Sequence, residues 1–223
     1  MTLRLFFQAT AKFLMGLLLA GVLLFVPAGT LDYWQAWLFI GILFVPMLTA
    51  GIVLMIRQPE LLRKRLDARE KQQEQRRVVV LSGLLFLGMF VVAGLNRRFG
   101  WYILPDWAVY VSAALFLSGY LMYAEVMREN VWLSRTIEVQ DEQKVVDTGL
   151  YGIVRHPMYA ATLILFLMMP LVLASPWSFV LMLGYIPVIA KRIRNEETVL
   201  ERELEGYKEY KQRVRWKVIP FVW

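Results

Sequence analysis

The stretch HPMYAATLILFLMMPLVLASPWSFVLMLGYIPVIA, residues 156–190, decides the fold. It contains no Asp, Glu, Lys or Arg. A helix needs roughly 17–25 apolar residues to cross hydrocarbon, so the run is long enough for two membrane-embedded arms. Ala174-Ser175-Pro176-Trp177 interrupts it. Ser caps a helix start, and Pro fits the first turn because its missing N–H would have no partner there anyway. The spacing predicts a helical hairpin, Met158 to Leu173 and then Pro176 onward. The second arm has only 15 apolar residues, to Ala190, but its helical pattern continues to about Glu203. That helix is expected to leave the membrane at residues 191–197, placing a charged cluster at the lipid–water boundary.

Outward from the hairpin, toward the N-terminus, four more apolar runs follow the same rule: Phe13–Ala28, Trp34–Ile56, Val78–Leu95 and Trp107–Met127. The first has the length of a leader peptide. Val26-Pro27-Ala28-Gly29 is a poor small-x-small cleavage site and another span follows at once, which favours a retained helix. The composition agrees. With 58% hydrophobic residues, 19% charged and a mean hydropathy of +0.50, the chain is too apolar for disorder and unlike a soluble domain. The expected fold is all-α: a polytopic integral membrane helix bundle of about four spanning helices plus the C-terminal hairpin. Residues 1–127 read as membrane scaffold. Residues 128–223 hold nearly every feature that could do chemistry.

The net charge of +7 comes from 25 Lys and Arg against 18 Asp and Glu. Its distribution explains it. Residues 1–12 carry two basic side chains, 57–77 eight, 128–157 four and 191–223 nine, against two in 96–106. By the positive-inside rule both termini, the two large loops and the active site are expected in the cytoplasm. The basic excess is then topology, and no nucleic acid is needed. The connector 57–77 reads as a solvated helix touching anionic headgroups. With no Cys and one His, thiolate sites are excluded and a His-rich metal site is disfavoured. Glycine-rich nucleotide loops and the G-x-S-x-G elbow are absent.

Three segments remain. In the first, Asp147 to Tyr159, two glycines allow tight turns, Pro157 starts a helix, and the only His lies beside it with Tyr151 and Tyr159. This suits a small-molecule pocket at the cytoplasmic mouth of the bundle. Aromatic anchoring at the headgroups is the alternative. In the second, Lys191 to Leu200, Arg192 and Glu196 share one helix face and Arg194 and Glu197 another. The Arg194–Glu197 spacing suits a surface ion pair. Arg192–Glu196, at the membrane boundary, calls for a wet cavity or a ligand. The third, Tyr207 to Trp216 followed by Ile219-Pro220-Phe221, alternates basic and aromatic residues. It suits either a surface-anchoring tail or a lid.

Together these segments resemble the isoprenylcysteine carboxyl methyltransferase family and its phospholipid N-methyltransferase relatives. The pattern is T-G-x-Y-x-x-x-R-H-P-x-Y from Thr148 to Tyr159, R-x-x-x-E-E-x-x-L from Arg192 to Leu200, then Tyr207, Tyr210 and Pro220. The resemblance covers roughly residues 136–223. It implies a multi-helix membrane enzyme using S-adenosylmethionine on the cytoplasmic side. It puts the methyl donor among Gln143, Lys144, Val145, Val146, Tyr151, His156, Pro157, Met158, Tyr159 and Glu196. Arg192 would hold the acceptor end of a lipophilic or lipid-modified substrate, with Arg213 also on the substrate side. Arg192, Glu196 and Glu197 are the catalytic candidates.

A carboxylate nucleophile needs alignment and no general base, and Arg offers a bidentate fork for it. An amine nucleophile needs a proton acceptor, for which Glu197 or His156 are candidates. The expected partners are the lipophilic substrate and membrane lipids, with no obligate protein partner. Three other readings stand beside carboxyl methylation. One is a lipid-amine N-methyltransferase. The second is a sterol-type reductase, which shares an R-H-x-x-Y and a Y-x-x-Y pattern. The third is a non-enzymatic transporter or assembly factor, which would show mid-membrane charges and paired broken helices.

Overall fold

The computed structural model describes residues 3–66, 73–133 and 139–223. Among them the chain is helical: α1 Leu3–Ala28, α2 Trp34–Arg57, α3 Pro59–Leu66, α4 Gln73–Phe99, α5 Asp106–Glu129, α6 Pro157–Val172, α7 Pro176–Leu183, α8 Tyr185–Glu203 and α9 Tyr207–Arg213, with a 3-10 turn at Gly149–Gly152. Helices α1, α2, α4 and α5 are long and apolar enough to cross a membrane. Their outer faces fit that solvent. Leu14, Leu18, Val22 and Val26, each four residues apart on α1, are all exposed, a stripe that water would disfavour and lipid accepts. The chain is an integral membrane protein.

One core runs through the bundle. Leu24, Phe39, Met89, Phe116, Leu173, Met182, Ile189 and Ile193 are all but fully buried within it. α1 packs on α4, α5 on α6, and α7 on both α4 and α6. Gly94 of α4 sits directly against α1. A Cβ there would lie 2.6 Å from the Leu24 carbonyl oxygen and 2.9 Å from Pro27 Cβ, so only glycine lets α1 and α4 meet at this depth.

The hairpin region differs from expectation in one respect. α6 begins at Pro157 and Ser175 Oγ caps α7 by accepting from Ser178 N, as the Ser-Pro signal predicts. The second arm is not one helix. It breaks at Gly184, and α8 resumes at Tyr185 and runs to Glu203.

The connections sort to two ends. At one end Tyr33 Oη donates to Leu173 O (2.6 Å), Arg97 Nη2 to Asp32 O (2.9 Å) and Leu104 N to Ala174 O (3.2 Å). At the other lie α3, the segment after α5 and everything beyond Leu204. There a second, smaller core forms from Leu204, Tyr207, Tyr210 and Val214, with Val139, Val145 and Leu200 packed on it. The part of the 57–77 connector at 67–72, expected to be helical, lies outside the described residues, as do residues 136–138 of the region carrying the family resemblance.

Candidate active site

The site is assembled from the non-helical segments after α5 and before α6, closed by the start of α6, the middle of α8 and α9. α5 ends at Glu129, whose Oε2 accepts from Leu150 N at 3.2 Å. Gly149 sits against that carboxylate with φ +51°. A Cβ there would come within 1.8 Å of Glu129 Oε1, so this turn requires glycine on two counts. Asn130 Nδ2 donates to Tyr151 Oη (2.9 Å), and Tyr210 Oη donates to Tyr151 O (2.8 Å). The 3-10 turn at 149–152 is therefore held by α5 on one side and α9 on the other. Gln140 Nε2 donates to Trp132 O (2.6 Å), which closes the loop after α5.

The chain then passes through Arg155 and His156 into α6. Their backbone N–H groups donate to Trp216 O (2.9 Å) and Lys217 O (2.8 Å), so the C-terminal segment docks on this motif. Arg155 Nη1 adds bonds to Val214 O (2.7 Å) and Arg215 O (2.8 Å). Its Nε donates to Glu197 Oε1 at 2.8 Å. His156 Nε2 lies 3.3 Å from the same oxygen, and Lys217 Nζ lies 3.0 Å from Glu197 Oε2. Glu197 is thus a buried hub with three basic neighbours. Burial alone would raise its pKa. Hydrogen bonds from His156, Lys217 and Arg155 more than offset this and hold the carboxyl well below the usual carboxylate range. The surface pair with Arg194 read from the i,i+3 spacing is not formed. Arg194 is exposed, and Glu197 faces inward to Arg155.

Beside this hub opens a cavity of ≈ 840 Å³, counted out to its solvent mouth. Its wall carries nearly all the residues singled out above: Gln143, Lys144, Val145, Val146, Tyr151, His156, Met158, Tyr159, Arg192 and Glu196. Three lie elsewhere. Pro157 is buried as the first residue of α6. Glu197 sits behind the wall in the ion cluster. Arg213 is exposed and pairs with Asp147 Oδ2 at 2.7 Å. The wall also includes Asn130, Trp132, Leu133, Arg155, Leu200, Leu204, Tyr207 and Tyr210, which were not assigned to the pocket from the sequence. For the two tyrosines a signal existed, since their i,i+3 spacing puts both on one helix face. For Asn130, Trp132 and Leu133 there was none. Tyr207 and Tyr210 are buried in this wall, so α9 forms part of the cavity.

Adjacent glutamates on α8 have opposite surroundings. The Glu196 side chain is 25% exposed and the Glu197 side chain 5%. On the cavity wall Arg192 Nε donates to Tyr159 Oη (3.0 Å), and Tyr159 Oη donates to Glu196 Oε2. His156 Nδ1 is 3.9 Å from Glu196 Oε1. A cation and a carboxylate thus face one cavity, coupled through one phenol. Among the described residues no cluster of acidic or His side chains could hold a metal ion.

Comparison with known proteins agrees with this architecture. Residues 107–206 match the phospholipid methyltransferase family, from α5 to the turn before α9. The match begins inside the region read from the sequence as scaffold. Among solved structures, the chain is similar to a eukaryotic intramembrane Ras methyltransferase, isoprenylcysteine carboxyl methyltransferase, solved without a monobody. The TM-score is 0.56 at 18% identity, over 99% of this chain and 85% of that one. No curated protein sequence matches. The family match over 107–206 supports a membrane methyltransferase, and the solved structure shares the fold.

Proposed function

We propose that the chain is an S-adenosylmethionine-dependent methyltransferase that O-methylates the carboxylate of a lipophilic, isoprenylcysteine-like substrate. One observation carries the reading. Arg192 and Glu196 face the same cavity at the end of α8 that leaves the apolar bundle, joined through Tyr159.

The residues present fit the donor. The cavity has both polar and apolar walls and opens to solvent. Its wall offers aromatic faces at Tyr151 and Tyr159, the His156 ring and the carboxylate of Glu196. Bound there, S-adenosylmethionine supplies an electrophilic methyl group on a sulfonium. Glu196 places negative charge beside a cationic ligand, and Tyr159 fixes that carboxylate. The 143–146 segment, Tyr151, His156 and Met158 complete the donor side. Arg192 orients the acceptor carboxylate with its planar fork. Such a nucleophile carries its own lone pair, so alignment at roughly 3–3.5 Å is what the site must supply. Glu197, engaged by Arg155, His156 and Lys217, positions the motif and the tail and stands outside the proton-transfer chemistry.

N-methylation of a lipid amine is the second reading, favoured by the phospholipid methyltransferase match over 107–206. Glu196 is then the carboxylate on the wall that can take the released proton. Lipid extraction after incubation of membranes with methyl-labelled donor separates the two. Base-labile label identifies an ester, as proposed, and base-stable label identifies N-methylation. Label in neither fraction would contradict both.

We also propose that the site faces the cytoplasm, because 23 of the 25 Lys and Arg fall in the sequence segments 1–12, 57–77, 128–157 and 191–223. A single Cys introduced at Gln212 should react with impermeant reagent only from the cytoplasmic side. Reaction from the opposite side alone would invert the topology.

A further inference from the structure

Tyr207 and Tyr210, one turn apart on α9, are the two aromatic residues of the Y-x-x-Y pair. Both line the cavity and both are buried, at 4% and 2% exposure. Their rings lie 5.7 Å apart, yet their hydroxyls have opposite fates. Tyr210 Oη donates to Tyr151 O at 2.8 Å. Tyr207 Oη is shut off from solvent and has no hydrogen-bond partner among the described residues.

A buried hydroxyl without a partner costs free energy and calls for an explanation. Three buried side-chain atoms lack partners among the described residues: Gln35 Oε1, Asn195 Nδ2 and Tyr207 Oη. Of the three residues, only Tyr207 lines the cavity. The groups around it do not answer the need. Both oxygens of Glu197 are engaged by Arg155, His156 and Lys217, and Glu196 Oε2 accepts a hydrogen bond from Tyr159 Oη. Burial, then the charges of Glu197 and Glu196, push the Tyr207 phenol well above its usual range. It remains protonated and can donate.

We infer that the Tyr207 hydroxyl is a hydrogen-bond donor to the methyl donor, left unpaired until that ligand enters the cavity. The inference rests on the donor reading of the cavity and adds to it a residue outside the motifs assigned to donor binding. Its chemistry needs an acceptor on the ligand, which the nucleoside and amino-acid portions both provide. It also divides the tyrosine pair by role: Tyr210 ties the 3-10 turn to α9, and Tyr207 serves recognition.

The test uses the full chain purified in detergent, with S-adenosylhomocysteine as the calorimetric probe. Tyr207→Phe should raise the dissociation constant about 3- to 30-fold, the range expected for one lost hydrogen bond. Its melting temperature without ligand should be unchanged or higher, because no internal bond is removed. Tyr210→Phe should melt lower without ligand. Equal affinity of wild type and Tyr207→Phe would overturn the inference while leaving the donor site intact. A lower ligand-free melting temperature for Tyr207→Phe would overturn it too, by revealing an internal partner. Absence of binding by the wild type would instead remove the donor reading itself.

Discussion

The two ends of the helix bundle are built differently. At the end away from the cavity, short connections are tied by hydrogen bonds onto backbone carbonyls, such as Tyr33 to Leu173 and Arg97 to Asp32. At the cavity end, long non-helical segments are gathered around a buried carboxylate, Glu197, by Arg155, His156 and Lys217. The first end needs only to satisfy helix termini. The second must hold open a polar cavity beside an apolar core, and non-helical loops have little ladder bonding of their own. A buried ion cluster gives the loops one fixed geometry, at the cost of depending on every member.

That contrast sets the order of expected effects. Glu197→Gln should be the most damaging to stability, at about 3–5 kcal/mol, because it leaves buried cations uncompensated. Chemical unfolding of the purified variant checks it. The same carboxyl, depressed by its basic neighbours, predicts an acid limit. Its contribution is complete above the ordinary carboxylate value of 4.5 and is lost progressively as pH falls below that toward the folded-state value. Melting temperature followed from pH 7 to 3 should therefore fall more steeply in wild type than in Glu197→Gln.

Arg192→Lys keeps charge but loses the fork, and should lower turnover on the order of 100-fold with folding intact. Arg194→Lys, exposed on the other face with its expected Glu197 pair not formed, should change turnover less than about threefold, as for an ordinary surface substitution. Similar losses at both positions would make the cluster a helix anchor only. Gly149→Ala meets both a positive φ and the Glu129 carboxylate. It should cost roughly 1–3 kcal/mol and weaken donor binding through Tyr151. At the opposite end, Tyr33→Phe removes one bond to Leu173 O and should cost about 1 kcal/mol, with activity per folded molecule unchanged. A large activity loss there would erase the distinction between the ends.

The membrane helices were legible because span length and apolarity are local properties. So was the start of α6, since Pro157 marks a first turn. The break at Gly184 was not, because a single glycine in a long apolar run also fits an unbroken helix. The inward turn of Glu197 was hidden for a different reason. Its partner Arg155 is 42 residues away in sequence, and periodicity on α8 alone favours the nearby Arg194. The stretch from Gln143 to Val146 came only from the motif resemblance, whereas His156 with Tyr151 and Tyr159 was legible as a pocket from its place beside the helix-starting Pro157. Asn130 and Trp132 join the wall only through the way the loop after α5 folds back on the 3-10 turn, and no spacing encodes that.

In the proposed mechanism one cavity divides its labour, with His156 and Glu196 serving the methyl donor and Arg192 the acceptor. Calorimetric titration of S-adenosylhomocysteine into wild type, His156→Ala, Glu196→Gln and Arg192→Lys tests it most directly. Wild type should bind, His156→Ala and Glu196→Gln should bind at least about tenfold more weakly, as for a lost hydrogen bond to a charged group, and Arg192→Lys should stay within about threefold of wild type. No binding by wild type, or equal weakening in all three variants, would contradict it.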